Sequence, residues 1–251
     1  MYHSITIGDK NTWRDWHLIP ASRPVVNPPP VKANMIEIPG ADGTLDLTES
    51  LAGRAVFGDR TGSWTFYVDN DHATWSSIYS SIMGYLHGKQ LTCYLEDDPS
   101  FYYEGRFSVN QWLSESWNSK IVINYEVGPY KLYSLDTGDR WLWDTFNFRT
   151  GVIRSFRNMV VRYGQTLAVD VIGDTMEVIP TITANFPSGT YIELLTTSGT
   201  YKLKKGHNVI DDVVIREGLN PLRFYLVVAG SSILPSNLKG TITLKLIGGR
   251  L

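Results

Sequence analysis

The chain has 251 residues, 43% of them hydrophobic and 19% charged, with a formal net charge of −2. A chain of this length suits one large domain or two ordinary ones, with a core that needs no disulfide; its single cysteine, Cys93, has no partner to form one within the chain. The balanced charge gives no electrostatic reason for general nucleic-acid binding. No run of about 18 apolar residues predicts a transmembrane helix, and the opening MYHSITIGDK lacks the basic and apolar segments of a secretory signal.

In chain order, the first marked feature is residues 24–51. A triple proline (Pro28, Pro29, Pro30) is followed by an apolar-alternating run, a Gly/Asp turn and a short polar strand. Polyproline is stiff and extended, so this stretch reads as an arm leaving the body of the protein. Residues 63–68 (SWTFYV), 90–96, 102–109 and 120–127 read as strands, being short and rich in aromatic and β-branched residues. One helix is predicted at about 71–87. Trp75, Ile78, Tyr79, Ile82 and Leu86 share one helical face, Asp69, Asn70 and Asp71 offer N-caps, and Gly88 stands where a C-terminal glycine belongs. Gly84 inside the helix costs about 1 kcal/mol relative to Ala, which points either to a close backbone contact or to a tolerated defect. The second half predicts seven strands, at 166–172, 177–184, 190–196, 200–204, 208–215, 222–228 and 241–247, separated by turn-forming clusters. That spacing suggests a β-sandwich, and Pro180 restricts its run to a sheet edge or a strand start.

Composition divides the chain. All eight tryptophans (Trp13, Trp16, Trp64, Trp75, Trp112, Trp117, Trp141, Trp143) precede residue 144. Residues 1–143 hold 11 basic and 17 acidic residues, a net of −6, whereas residues 144–251 hold 12 and 8, a net of +4. The coincident shift predicts two domains, 1–140 and 141–251, with the boundary near 136–150.

No set of residues assembles into an active site. His3, His17, His72, His87 and His207 lack metal-ligand spacing and read as surface or helix-end residues. Glu96, Asp97 and Asp98 are adjacent in a turn and read as solvated, because paired glycosidase carboxylates face each other across a substrate. Asp69, Asn70 and Asp71 resemble a DxD but stand where a cap is needed. Asp42, Gly43 and Asp46 lack the spacing of a calcium loop. Cys93 reads as a small buried hydrophobe. Phosphate loops, dinucleotide fingerprints and nucleophile elbows are missing. Two other classes stay open on residues alone: a carbohydrate-binding β module with tryptophan platforms, Trp141 and Trp143 sharing one strand face, and a polysaccharide-cleaving enzyme using Glu104 or the three acids at 96–98.

The order and spacing of several short motifs resemble the distal tail protein (Dit) family of siphophages. They are NTWRDWHL at 11–18, VNPPPVK at 26–32, IPGADG at 38–43 followed by LDLT at 45–48, GDRTG at 58–62, LEDDP at 95–99 followed by YEGRF at 103–107, GPYK at 128–131 and GGRL at 248–251. The resemblance implies a mainly β protein. Its first part would be a tail-tube-like β-sandwich or split-barrel belt domain with one helix, and its second a galectin-like β-sandwich projecting outward. It implies a non-catalytic virion protein of the tail tip, assembled in the host cytoplasm. Six copies would form one ring or two stacked rings around a channel that passes DNA without specific binding, and the acidic balance of residues 1–143 suits such a channel. Implied partners are the tail tube protein, a tail-associated lysin or tip protein and a receptor-binding protein, with no cofactor, no metal and no membrane insertion. Asn27, Pro28, Pro29, Pro30, Val31, Ile36 and Ile38 would belong to an inter-subunit arm. The likeness to galectins is one of fold alone: the second half contains His207 and, well apart, Asn220 and Pro221, but no tryptophan, so the sugar-binding motifs of galectins are missing.

Overall fold

The computed structural model describes residues 3–69, 74–115, 118–134, 156–229 and 237–251. The chain separates into two compact units, Met1–Lys131 with Leu251, and Leu132–Arg250. The boundary predicted at 136–150 falls outside the described residues.

The first unit contains strands β1 (Ile5–Ile7), β2 (Lys10–Asn11), β3 (Leu18–Pro20), β4 (Met35–Glu37), β5 (Thr44–Asp46) and β6 (Arg60–Val68), then helix α1 (Trp75–Leu86) and strands β7 (Lys89–Leu95), β8 (Phe101–Ser114) and β9 (Ser119–Val127). Seven of these strands form an antiparallel sheet in the order β2-β1-β7-β8-β9-β6-β3, while β4 and β5 pair only with each other. Alternation decides which face is buried. Trp64, Phe66 and Val68 from β6, Ile121, Ile123, Tyr125 and Val127 from β9, and Tyr103, Phe107 and Val109 from β8 enter one core with Ile82 and Leu86 of the helix. Full burial of each large apolar side chain contributes roughly 1.5–3 kcal/mol.

A bulge in β8 changes the phase of this alternation. Val109 pairs with Ile123 but Gln111 pairs with Val122, so Trp112 lands opposite Ile121. The extra residue re-aims the strand end. Trp112 then stacks on Tyr79 of the helix at 4.5 Å between centroids, and its Nε1 donates to Ser119 Oγ at 2.7 Å.

The apolar stripe read from the sequence is the buried one: Trp75, Ile82 and Leu86 are buried, and Ile78 and Tyr79 pack on the same core. The described helix starts at Trp75, with Thr74 at the N-cap and no side-chain cap bond. Asn70, Asp71 and His72 lie outside the described residues, and Asp69 is engaged through its backbone, its N–H donating to the His17 carbonyl at 2.8 Å. At the other end Gly88 takes φ +77°, the left-handed stop expected of a glycine, and His87 Nδ1 accepts the Val109 N–H at 3.1 Å. His87 is thus a structural link between the helix end and β8.

In the second unit β10 (Lys131–Tyr133) straddles the boundary; β11 (Met159–Arg162), β12 (Thr166–Gly173), β13 (Thr181–Asn185), β14 (Thr190–Leu195), β15 (Thr200–Leu203), β16 (Gly206–Val209), β17 (Gly218–Val228), β18 (Lys239–Lys245) and β19 (Gly249–Arg250) follow. Two four-stranded sheets, β11-β18-β13-β16 and β12-β17-β14-β15, enclose a core that includes Ile182, Ile192, Phe224, Ile242 and Leu244. This is the expected sandwich, with β11 as a strand the sequence did not reveal. Pro180 directly precedes β13, which is central in its sheet, so the strand-start option holds and the edge option does not. The strand expected over 208–215 ends at Val209, because Asp211 and Asp212 turn the chain before Val213 and Ile215 re-enter the core. Pro221 sits in β17 opposite Asp170, beyond the last residue that pairs with β14, so it interrupts no bond to that strand.

The same turn occurs twice here. In KKGHN (204–208) Asn208 Oδ1 accepts the Lys204 N–H, and Nδ2 donates to the carbonyls of Lys204, Gly206 and Ile182. In REGLN (216–220) Asn220 does the same with Arg216, Gly218 and Val171. Gly206 and Gly218, at φ +98° and +91°, supply the positive φ that each turn needs.

A Cβ on Gly84 meets nothing within 4 Å, so no close contact explains this glycine. Gly105 differs, because a Cβ there collides with the Glu126 carbonyl and the Val127 backbone. Gly84→Ala is therefore expected to stabilise the protein by about 0.5–1 kcal/mol, and Gly105→Ala to destabilise it by more than about 2 kcal/mol; urea unfolding midpoints of the two variants check both signs.

Candidate assembly arm and its root

Residues 25–32 are strapped along the first unit. Val25 O accepts from Trp64 Nε1 at 2.8 Å. Asn27 is held at three polar groups: its N–H donates to Tyr125 Oη at 2.9 Å, its Nδ2 donates to Thr61 O at 2.9 Å, and its carbonyl accepts from Arg60 Nη1 at 3.1 Å. Prolines have no N–H to donate, so the remaining contacts use carbonyls and the residues after them. Pro30 O accepts the Gly58 N–H at 2.8 Å, Val31 bridges Phe57, and Lys32 donates to Val56 O at 2.8 Å. The triple proline is the root of the arm, and the part that reaches out begins after it.

That part is residues 33–54. Met35, Ile36 and Glu37 pair with Asp46, Leu45 and Thr44 in a two-stranded ribbon. Gly40 and Gly43, at φ +84° and +80°, shape its tip. Its base is closed by Asn34, whose N–H donates to Thr48 Oγ1 at 3.0 Å and whose carbonyl accepts from Leu47 at 2.8 Å. Asp46 accepts the Thr48 N–H at 2.9 Å, and bonds from Thr48 hold its carboxyl below the usual range, as befits a turn residue.

The ribbon has two unlike faces. Ile36 and Leu45 stand opposite each other with Ile38 two residues on, while Glu37, Asp46, Met35 and Thr44 occupy the other side. Every strand residue of the ribbon is exposed. Met35 (54%), Ile36 (44%), Ile38 (47%), Leu45 (47%) and Leu51 (98%) are large apolar side chains open to solvent. A bare two-stranded ribbon is marginal alone, and clustered exposed apolar residues mark interaction sites. Of the residues expected in an arm, Asn27, Pro30 and Val31 therefore bind the body, whereas Ile36 and Ile38 are on the free ribbon.

The other candidates have structural partners. The turn at 96–98, read from sequence as solvated, is a three-way clamp. Glu96 accepts from Ser4 N and Oγ at 2.7 and 3.0 Å, Asp97 lies between His3 Nδ1 at 2.9 Å and Arg23 Nε at 2.8 Å, and Asp98 pairs with Lys131 Nζ at 2.8 Å. Cys93 is fully buried, which pushes its thiol far up and removes it as a nucleophile. His207 Nδ1 meets Thr183 Oγ1 at 3.0 Å, and His17 packs edge-on to Trp13. Trp16, Trp64 and Trp75 belong to the core, and Trp117, Trp141 and Trp143 lie outside the described residues. An open pocket of about 410 Å³ on the outer sheet face is lined by residues including Thr61, Ser63, Arg106, Ser108 and Asn124. Arg106 is committed there to the Gly88 carbonyl. Among the described residues no cluster of His, Cys, Asp and Glu fits a metal ion, and no helix is long and apolar enough to cross a membrane.

The hydrogen bonds from Arg23 and then His3 hold the Asp97 carboxyl below the ordinary range. A carboxylate whose pKa is lower folded than unfolded contributes stability that is present above about pH 3.9 and lost as pH falls through the folded value. The wild type is expected to lose urea stability between pH 5 and pH 3 more steeply than Asp97→Asn; superimposable slopes would remove the clamp from the acid response.

No protein-family model and no curated protein matches the chain. Among solved structures, the crystal structure of the Dit protein of SPP1, described as a paradigm of the hub adsorption apparatus in phages infecting Gram-positive bacteria, superposes with a TM-score of 0.59. The match has 11% sequence identity and covers 99% of each chain. The chain thus has, along its whole length, the mainly β fold of a siphophage distal tail protein.

Proposed function

We propose that this protein is a structural distal tail protein of a siphophage and has no catalytic role. The observation that carries the reading is the correspondence with a hub protein over 99% of both chains, since a shared single domain would leave one unit unmatched. On this reading the first unit is the ring-forming belt, six copies closing around a channel that passes DNA without specific binding. The second unit is the galectin-like module, and the ring joins the tail tube to a lysin or tip protein and mounts a receptor-binding protein. The site of action is the virion tail tip.

The exposed ribbon supports a subunit contact. A ring needs a heterologous contact, with one patch on each copy meeting a different patch on the next. A ribbon with an apolar face that the described residues leave exposed is such a patch, and its strapped root sets its direction before docking, which lowers the entropy cost.

Electron microscopy of the purified full-length protein, alone and with the tube protein, is expected to show six-fold rings. Replacing residues 34–54 with a short Gly/Ser turn is expected to abolish the rings while the thermal transition of the second unit persists. Rings formed by the shortened protein would refute the arm; a monomer under all conditions would refute the hub.

A further inference from the structure

The outer face of the sheet in the first unit carries two neighbouring features. At one end is the open pocket of about 410 Å³, with polar side chains from Thr61 and Ser63 of β6, Asn124 and Glu126 of β9, and Arg106 and Ser108 of β8. Apart from the bond of Arg106 to the Gly88 carbonyl, none of these side chains has a hydrogen bond or ion pair to a described residue. Arg106 stands opposite Glu126 in the register without pairing with it. That one bond leaves most of the five guanidinium N–H groups available. At the other end Tyr67, Lys120 and Leu113 form a row across β6, β9 and β8, with Val122 in the row between it and the pocket. Tyr67 and Leu113 are 39% and 40% exposed, and the Lys120 ammonium lies over the Tyr67 ring at 5.4 Å.

The β4–β5 ribbon carries the complementary features in the same order. Its tip, residues 40–43 (GADG), has only one side chain larger than a methyl group, that of Asp42. The Asp42 carboxylate has no partner among the described residues, and the one backbone bond donated within the tip runs from Ala41 to Ile38 O. A carboxylate needs donors, which Arg106, Thr61, Ser63 and Ser108 offer. The N–H groups of Gly40, Asp42 and Gly43 need an acceptor, which Glu126 offers. Behind the tip stand Ile38, Ile36 and Leu45. At about 3.3 Å per residue, Leu45 lies roughly 10 Å from Asp42, while Val122 and Tyr67 lie roughly 7 and 13 Å from Asn124 and Ser63 of the pocket. A tip seated in the pocket therefore lays the apolar face of the ribbon over the apolar row.

The ribbon of the same chain does not fill this site, because residues 31–46 are exposed throughout. The pocket lies beside the root of the arm: Thr61, which lines it, accepts Asn27 Nδ2 through its carbonyl. A tip from another copy would thus settle at the root of the next arm, head to tail, the heterologous contact from which rings close. We propose that the pocket and the apolar row receive the β4–β5 ribbon of a second copy, tip first, with Asp42 on Arg106. This rests on the reading of the ribbon as an assembly arm.

The test mixes two full-length variants, Ala41→Cys and Ser63→Cys, with a short bismaleimide; the native Cys93 is fully buried and does not compete. Mixed dimers are expected at roughly ten times the yield of cross-links from either variant alone. In the unaltered background, Asp42→Asn is expected to raise the concentration at which rings half-form by roughly tenfold. Rings that form without a preference for mixed cross-links would overturn the socket and leave the arm standing. A link within one monomer of the double variant, or loss of Ser63→Cys labelling only when the tube protein is added, would overturn it by giving the pocket another occupant. Absence of rings from the unaltered protein would overturn the arm and the socket together.

Discussion

The strap of residues 25–32 is the constraint on which the outward parts of the first unit depend. The β4–β5 ribbon buries none of its own strand side chains, so its position comes from where the chain leaves and re-enters the body. Both points are fixed by backbone bonds: Pro30 to Gly58 and Lys32 to Val56. Proline lowers the cost of such a fixing, because a chain already near φ −65° has little freedom left to lose. Asn27 then locks the strap through its N–H, its carbonyl and its side-chain amide nitrogen. Without that lock the ribbon would sweep a wide volume, and an apolar face would meet solvent and other chains at random.

A second constraint closes the opposite edge of the sheet. Strand β1 is only three residues long and pairs with β7 and β2, which is too little ladder to hold a terminal strand alone. Glu96 and Asp97 add side-chain bonds to Ser4 and His3, and Asp97 also reaches Arg23 at the start of the strap. One turn therefore secures the N-terminal strand and the approach to the arm. An isolated surface ion pair contributes little, but a turn that joins three chain segments restricts each through the others.

What was legible in the sequence follows from periodicity. Alternation at 63–68 and 120–127 and the 3.6-residue stripe through Trp75, Ile82 and Leu86 depend on burial of one face, and burial is written into residue type. The bulge after Val109 was not legible, because one inserted residue changes phase without a compositional mark. The role of Glu96, Asp97 and Asp98 was hidden for a different reason: their partners, Ser4, His3, Arg23 and Lys131, are distant in sequence. The repeated turn of KKGHN and REGLN is present in the letters as a basic residue, a glycine two on and an asparagine four on, but each copy alone looks like an ordinary polar loop. For the arm, the prolines were visible in the sequence, but the strap contacts of Pro30, Val31 and Lys32 with Gly58, Phe57 and Val56 join segments more than 20 residues apart and were not. The same logic explains how 11% identity coexists with a match across 99% of both chains: alternation and turn chemistry are satisfied by many residues, and identity measures neither.

In the proposed contact between copies, the paired apolar face of the ribbon contributes a modest share. Ile36, Ile38 and Leu45 are each about half exposed, so covering the rest of their surface contributes about 2–4 kcal/mol in total. That corresponds to a dissociation constant no tighter than about millimolar. These three side chains alone would not hold two copies together in dilute solution, and the acidic reverse face, with Glu37 and Asp46, discourages ribbons from stacking on each other. A closed ring changes the arithmetic. In the proposed six-copy ring the last contact to form would be intramolecular, its cost in lost freedom already met, so that weak contacts would add up to one stable object. Weak arms of that kind would also allow a misplaced copy to leave, and a template on one face, such as the end of a tube, would then decide where such rings form.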